Sequence, residues 1–315
     1  MKTPELTDIL TFLLLLLTTT TLDASATDNK PATAPDFRLY YLKANISNAI
    51  ATIYLNDAPL ISSTDLNNLR TQEPVNLWLL PGSNTLSFKI HPSINKNSAN
   101  SPEDQAGDQA ELQLEVFSHT TSGSNPGSKK IIASLNYRHS GTPAQLSTGL
   151  IQEKSVNFDF NFAIPVRLWH QASIISSIDN NDRKAITRLI ESLSNSITNR
   201  NTTAAINLQA YKIAEDALAE NKTEERLRTI TANTYKWLFT QKNLKLKNTR
   251  DSSSQTEKFR FSLCCNNRLI HVTRYITDHD IGPVNENAIV FESDDLFFDI
   301  NIFMAKIEGK WVIAR

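Results

Sequence analysis

Two side chains in this sequence can move a proton, and each lies in a run with strand-like alternation. His271 belongs to the set Leu269, His271, Thr273 and Tyr275, which a period of two places on one strand face. Asp299 falls in the run from Leu296 to Ile302 and shares parity with Phe297, Asn301 and Phe303. An imidazole or carboxylate facing an enclosed apolar pocket would suit general acid–base catalysis. The competing expectation is structural. A lone His on a strand is more often held by a hydrogen bond, and the row Phe297, Asp299, Asn301, Phe303, half aromatic and half polar, reads as a contact surface for another part of the chain, a second copy or another protein.

Other chemistries lack their residues. The six His are scattered, and no two lie at the i, i+4 spacing that sets two ligands on one helical face. Asp278-His279-Asp280 runs into Ile281-Gly282-Pro283 and reads as a solvated turn, while Asp294-Asp295 lacks the further oxygens of a calcium loop. No Gly-x-Ser-x-Gly elbow and no glycine-rich phosphate cradle is present. No catalytic residue, metal or cofactor is therefore assigned. The only cysteines, Cys264 and Cys265, are neighbours and cannot staple distant parts of the chain. Continuing the alternation of Phe259, Phe261 and Leu263 sends Cys265 to the apolar face and Cys264 to the polar one, and an extended pair cannot close a vicinal disulfide ring.

The elements that must position these residues follow from periodicity. Ile186, Leu189, Ile190, Leu193 and Ile197 form one apolar stripe behind a cap at Asp182. Leu208, Tyr211, Ala214 and Leu218 suggest a second helix entered through Asn201, and Leu227, Ile230, Thr234, Trp237 and Leu238 a third begun near Thr223. Strand candidates follow at 259–265, 268–276, 288–291 and 296–307, with 310–314 pairing back across Glu308-Gly309. Helices followed by an antiparallel meander make an α+β domain over 183–315. This order, closing on Ile307-Glu-Gly-Lys-Trp-Val-Ile-Ala-Arg315, resembles the α+β cone of the nuclear-transport-factor-2-like (SnoaL-like) superfamily. The resemblance implies a pocket between a curved sheet and helices, drawing on Tyr235 or Trp237 from the third helix and on Leu269, His271, Thr273 and Tyr275 from one strand face. The superfamily holds isomerases, dehydratases and cyclases beside non-catalytic binding domains, so the resemblance leaves function open.

Ahead of this, 36–163 reads as seven short strands at 38–42, 51–55, 75–80, 85–90, 111–117, 131–137 and 156–162, joined by polar loops. Leu86, Phe88 and Ile90, Leu112, Leu114 and Val116, and Phe158, Phe160 and Phe162 each line one face, as an antiparallel β-sandwich requires. The stretch Val75-Asn-Leu-Trp-Leu-Leu-Pro-Gly-Ser-Asn-Thr-Leu-Ser-Phe88 resembles a hairpin of jelly-roll β-sandwich modules. Many relatives of that fold bind carbohydrate, and Trp78 with Tyr40, Tyr41 and Tyr137 would be the sugar-stacking platform. Against that, Trp78 in Leu77-Trp-Leu-Leu80 has the setting of a core residue. Residues 164–182 read as the linker between the two domains.

The first 26 residues read as a secretory leader: Ile9 to Leu17 is apolar but too short to span a bilayer, and Ala24-Ser25-Ala26 has the small-x-small form of a cleavage site. A periplasmic or secreted chain with no membrane span after cleavage is expected. With 32 basic and 33 acidic residues the net charge of −1 gives no steering toward nucleic acid. Asn outnumbers Gly 30 to 8, so Asn should take many left-handed turn positions. The function expected is non-catalytic binding of another envelope protein, as an immunity or adaptor protein does. Carbohydrate or cell-wall binding through the sandwich and small-molecule catalysis in the cone pocket are the alternatives.

Overall fold

Strict alternation marks the first described strand: in β1 (Leu39–Ser47) Tyr40, Leu42, Ala44 and Ile46 are buried while the residues between them are partly exposed. The computed structural model describes residues 38–63, 68–91, 110–119, 129–139, 152–161, 166–247, 259–278, 282–294 and 296–315. The side chains of 275–278 and 282–285 are outside that description, as are the leader, 92–109 and 120–128 of the polar loops, His279, Asp280 and Asp295. Among the described residues seven further strands precede the helices: β2 (Ile50–Leu55), β3 (Ala58–Ser62), β4 (Leu69–Pro74), β5 (Gly82–His91), β6 (Glu111–His119), β7 (Lys129–Arg138) and β8 (Gln152–Phe160). They form two antiparallel sheets, β4-β1-β6-β7 and β3-β2-β5-β8. Leu42, Ile46, Leu112 and Leu114 from one sheet and Ile53, Leu86, Phe88 and Phe160 from the other belong to a single buried cluster. Each such side chain contributes roughly 1.5–3 kcal/mol on burial.

Residues 75–80 are not the strand their apolar content suggests. Asn76 begins a turn there, accepting from the Tyr40 N–H at 2.7 Å and donating to the Arg38 carbonyl at 2.8 Å. The segment leads from β4 in one sheet to β5 in the other, so it makes no hairpin. β3 and β4 went unread because Pro59 interrupts the first and Arg70, Gln72 and Glu73 make the second polar; both are edge strands, where such residues are tolerated. Asn56 (φ 54°) and Asp57 (φ 65°) close the two-residue β2–β3 turn, the conformation a type I′ hairpin demands. Among the described residues, six of the ten non-glycine positions with positive φ are Asn.

Among the described residues the helices all lie in the C-terminal half: α1 (Leu168–Gln171), α2 (Asn180–Thr198), α3 (Thr202–Leu208), α4 (Ala210–Glu220) and α5 (Glu224–Leu238). Asp179, not Asp182, caps α2, accepting from the Asp182 N–H at 2.7 Å. Asp182 instead receives Trp311 Nε1 at 2.8 Å and Lys306 Nζ at 3.0 Å. The expected second helix is two, α3 and α4, separated at Gln209. Among the described residues eight more strands follow: β9 (Lys245–Leu246), β10 (Arg260–Cys264), β11 (Leu269–Asp278), β12 (Gly282–Asn287), β13 (Ile289–Glu292), β14 (Phe297–Ile300), β15 (Ile302–Ile307) and β16 (Lys310–Ile313). They pair antiparallel as β10-β11-β15-β16, with β12 on β11, and as β14-β13-β9. The single strand expected over 296–307 is thus broken at Asn301 into pieces that pair in different sheets.

Alternation in β11 and β15 divides their side chains between two clusters. Ile270, Val272, Ile302 and Met304 pack with Ile186, Ile190, Leu193, Tyr235 and Leu238 of the helices. Leu269, Phe303 and Ala305 belong instead to a third cluster that includes Ala58 and Leu80, with Leu77 and Trp78 packed on it. One side of this sheet is therefore covered by α2 and α5, and the other by residues of the N-terminal half together with α1. Among the described residues no helix is long and apolar enough to cross a membrane.

Candidate functional site

The residues expected to form one pocket are divided between the two sides of the sheet. Tyr235 is buried in the helix-facing cluster with Ile270 and Val272. Its hydroxyl accepts from Gln209 Nε2 at 2.5 Å, and burial pushes its pKa up to about 12. His271, one residue along from Ile270, points to the opposite side. Its ring stacks on Phe303 at 4.6 Å between centroids, the two residues being directly paired across β11 and β15. The structure therefore does not bring Tyr235 and His271 together; the period of two that groups Leu269, His271 and Thr273 is correct, but this set faces away from α5. Trp237, one residue round the helix from the buried positions, is 40% exposed. Tyr275 pairs through its backbone with Asn285, and its side chain is outside the described residues.

His271 has specific partners. Its Nε2 lies 2.8 Å from Asn301 Oδ1, the residue at which the β14–β15 strand breaks. Desolvation by burial brings the imidazole pKa down to about 4, with the Asn301 bond acting in the other direction. The ring is thus neutral at pH 7 and donates to the Asn301 oxygen. Below it, Phe303 meets Trp78 edge to face at 4.8 Å, and the Arg315 guanidinium lies over the Trp78 ring at 5.6 Å. His271, Phe303, Trp78 and Arg315 are a continuous stack linking the two halves of the chain.

The row expected on one face, Phe297, Asp299, Asn301 and Phe303, is interrupted by the break at Asn301. Phe297 is 48% exposed, and Asp299 and Asn301 are exposed, whereas Phe303 is buried. The Lys247 ammonium sits over the Phe297 ring at 4.9 Å, and Asp299 accepts from the Asn287 amide. Among the described residues β14 has one strand neighbour, β13.

Charged groups near these residues carried no sequence signal. Glu215 is fully buried, accepting from the Leu168 N–H at 2.9 Å and from Arg167 Nε at 3.2 Å. Arg315 is buried against Asp216 at 3.3 Å. Arg274, also buried, donates to Glu286 and to the Lys247 carbonyl, and Lys247 pairs with the same Glu286 at 2.8 Å. A periodicity reading assigns charged residues to solvent; these are buried because each has an opposite charge or a backbone partner. Both cysteines are buried in the third cluster. Cys264 keeps its expected parity opposite Phe261 and Leu263, but that face is covered; Cys265, expected with Phe261 and Leu263, turns to the same side because the strand ends at Cys264 and its own φ is 53°. Among the described residues no group of three or more His, Cys, Asp or Glu side chains is arranged to hold a metal ion.

Compared with known proteins, the chain matches no family model, no curated protein and no solved structure.

Proposed function

We propose that this chain is an exported, non-catalytic interaction protein of the cell envelope, a β-sandwich joined to an α+β cone, that binds another envelope protein as an immunity or adaptor protein does. The observation that carries this reading is the exposed pair Phe297 and Asp299 on β14, a strand with one neighbour among the described residues, with exposed Asn301 just past its end. An aromatic ring beside a carboxylate and an amide on a sheet edge is a composition suited to protein contact. The candidate acid–base groups are engaged elsewhere: His271 is bonded to Asn301 and stacked on Phe303, and Tyr235 is bonded to Gln209 in a core that Met304 also fills. That weighs against an enzyme using this pocket. Trp78, packed between Phe303 and Arg315, weighs against a sugar platform.

The test is a quantitative pull-down from envelope extracts with the wild type and with the Phe297→Ala and Asp299→Ala variants. A stoichiometric partner retained by the wild type and lost by both variants is expected. Recovery of no stoichiometric partner, or equal recovery by all three, removes the reading.

A further inference from the structure

Cys264 and Cys265 are the only cysteines in the chain. In extended backbone their thiols would point to opposite faces, but the chain leaves the strand between them. Cys265 (φ 53°), Asn266 (φ 54°) and Asn267 (φ 58°) are three successive left-handed residues. Asn adopts that conformation readily; a residue with an ordinary Cβ is strained in it. Both cysteines enter one buried cluster, 3% and 0% exposed, where the Cys264 thiol donates to the Leu269 carbonyl at 3.8 Å. Cys265 also makes a contact between the two halves of the chain, its N–H donating to the Asn56 carbonyl at 2.7 Å. A strained, buried, non-glycine residue at such a contact points to a function for the strain.

We propose that Cys264 and Cys265 are an oxidation site that closes to a vicinal disulfide in the presence of a small-molecule disulfide such as oxidised glutathione, and that closure loosens the contact at Asn56. One thiol loses its proton and attacks a sulfur of glutathione disulfide, giving a mixed disulfide and expelling one glutathione thiolate. The neighbouring thiol then loses its proton and attacks the protein sulfur, and the second glutathione leaves. Two protein S–H bonds are lost, one S–S bond forms, and one glutathione disulfide is reduced to two glutathiones. Adjacent Cα atoms are about 3.8 Å apart, below the roughly 4.4–6.8 Å of ordinary disulfides, so the ring is strained and readily reduced. Closing it requires the backbone at 264–265 to rotate, which moves the Cys265 N–H away from Asn56. Burial pushes the Cys265 thiol pKa well up, so reaction proceeds through local opening and accelerates with pH and with mild denaturant.

With two cysteines in the chain, any intramolecular disulfide is this one. The reduced full-length protein is incubated with excess glutathione disulfide, quenched in acid and weighed intact without reductant. Loss of two hydrogens per chain is expected, reversed by dithiothreitol, while Cys264→Ser and Cys265→Ser stop at the glutathione adduct. Amide exchange at Cys265 is expected to be at least about tenfold faster in the oxidised form. A wild type that stays reduced, holds the adduct or forms an intermolecular dimer overturns the oxidation site. Loss of two hydrogens with unchanged Cys265 exchange overturns its action on the Asn56 contact.

Discussion

Asn56 and Cys265 meet turn to turn: the β2–β3 hairpin presents its Asn56 carbonyl to the N–H of Cys265 in the β10–β11 turn at 2.7 Å, and both residues have left-handed backbones. The Asn56 side chain fixes this tip, donating to Trp78 O and Asn84 Oδ1, both at 2.8 Å, and accepting from the Thr85 N–H at 2.9 Å. Asn56→Ala loses these bonds and strains the left-handed turn, for an expected cost of about 3 kcal/mol in urea unfolding. Asn56→Gly loses the bonds but not the backbone fit, and should be less harmful by about 1 kcal/mol. Equal stability of wild type and Asn56→Ala would disprove the anchoring role.

Phe297 and Phe303 provide the contrast between surface and core. Phe303→Ala opens a cavity under His271 and beside Trp78 and should cost about 3–5 kcal/mol, while Phe297→Ala should change stability by no more than about 0.5 kcal/mol. Matched denaturation midpoints for the two variants would contradict this placement.

Glu215 supports the start of α1 from α4. Glu215→Ala leaves the buried Leu168 N–H without its acceptor and is expected to cost about 3 kcal/mol, whereas Glu215→Gln keeps an acceptor and costs less. Arg167 is more than half exposed, so Arg167→Ala should cost less than about 1 kcal/mol. Chemical denaturation of the three variants checks the ranking.

His271 and Tyr235 set opposite pH limits. The folded His271 pKa, about 4, lies below its unfolded value of 6.5, so the unfolded chain binds more protons between them. Its contribution to stability is complete above pH 6.5 and is lost as pH falls toward 4; His271→Gln should show a shallower decline over that window. Tyr235 is the reverse case, with its folded pKa raised to about 12, so stability is lost as pH rises from 10 toward 12. Tyr235→Phe should flatten that alkaline decline, as followed by circular dichroism against pH.

Much of the secondary structure was legible because periodicity records burial. The stripe from Ile186 to Ile197, the Thr223 cap and the Glu308-Gly309 turn lie where the residues suggested. Element breaks were less visible: Asn301 and Gln209 interrupt continuous patterns, and each is bonded to a residue distant in sequence, His271 for one and Tyr235 for the other. Which side of the sheet His271 faces was also hidden, since alternation groups residues by face without saying what covers each face. Glu215 and Arg274 were unreadable as interior residues because the groups that neutralise their charges, Arg167 and Glu286, are distant in sequence.

The stack of Trp78 on Phe303 and Arg315 gives the molecule an optical reporter of its own integrity. Of its four indoles, Trp78 and Trp169 lie with the cluster joining the two halves, Trp311 is tied to Asp182, and Trp237 already faces water. Parting of the halves with each half still folded would expose Trp78 and Trp169 to water, so indole emission shifts to the red before backbone ellipticity declines.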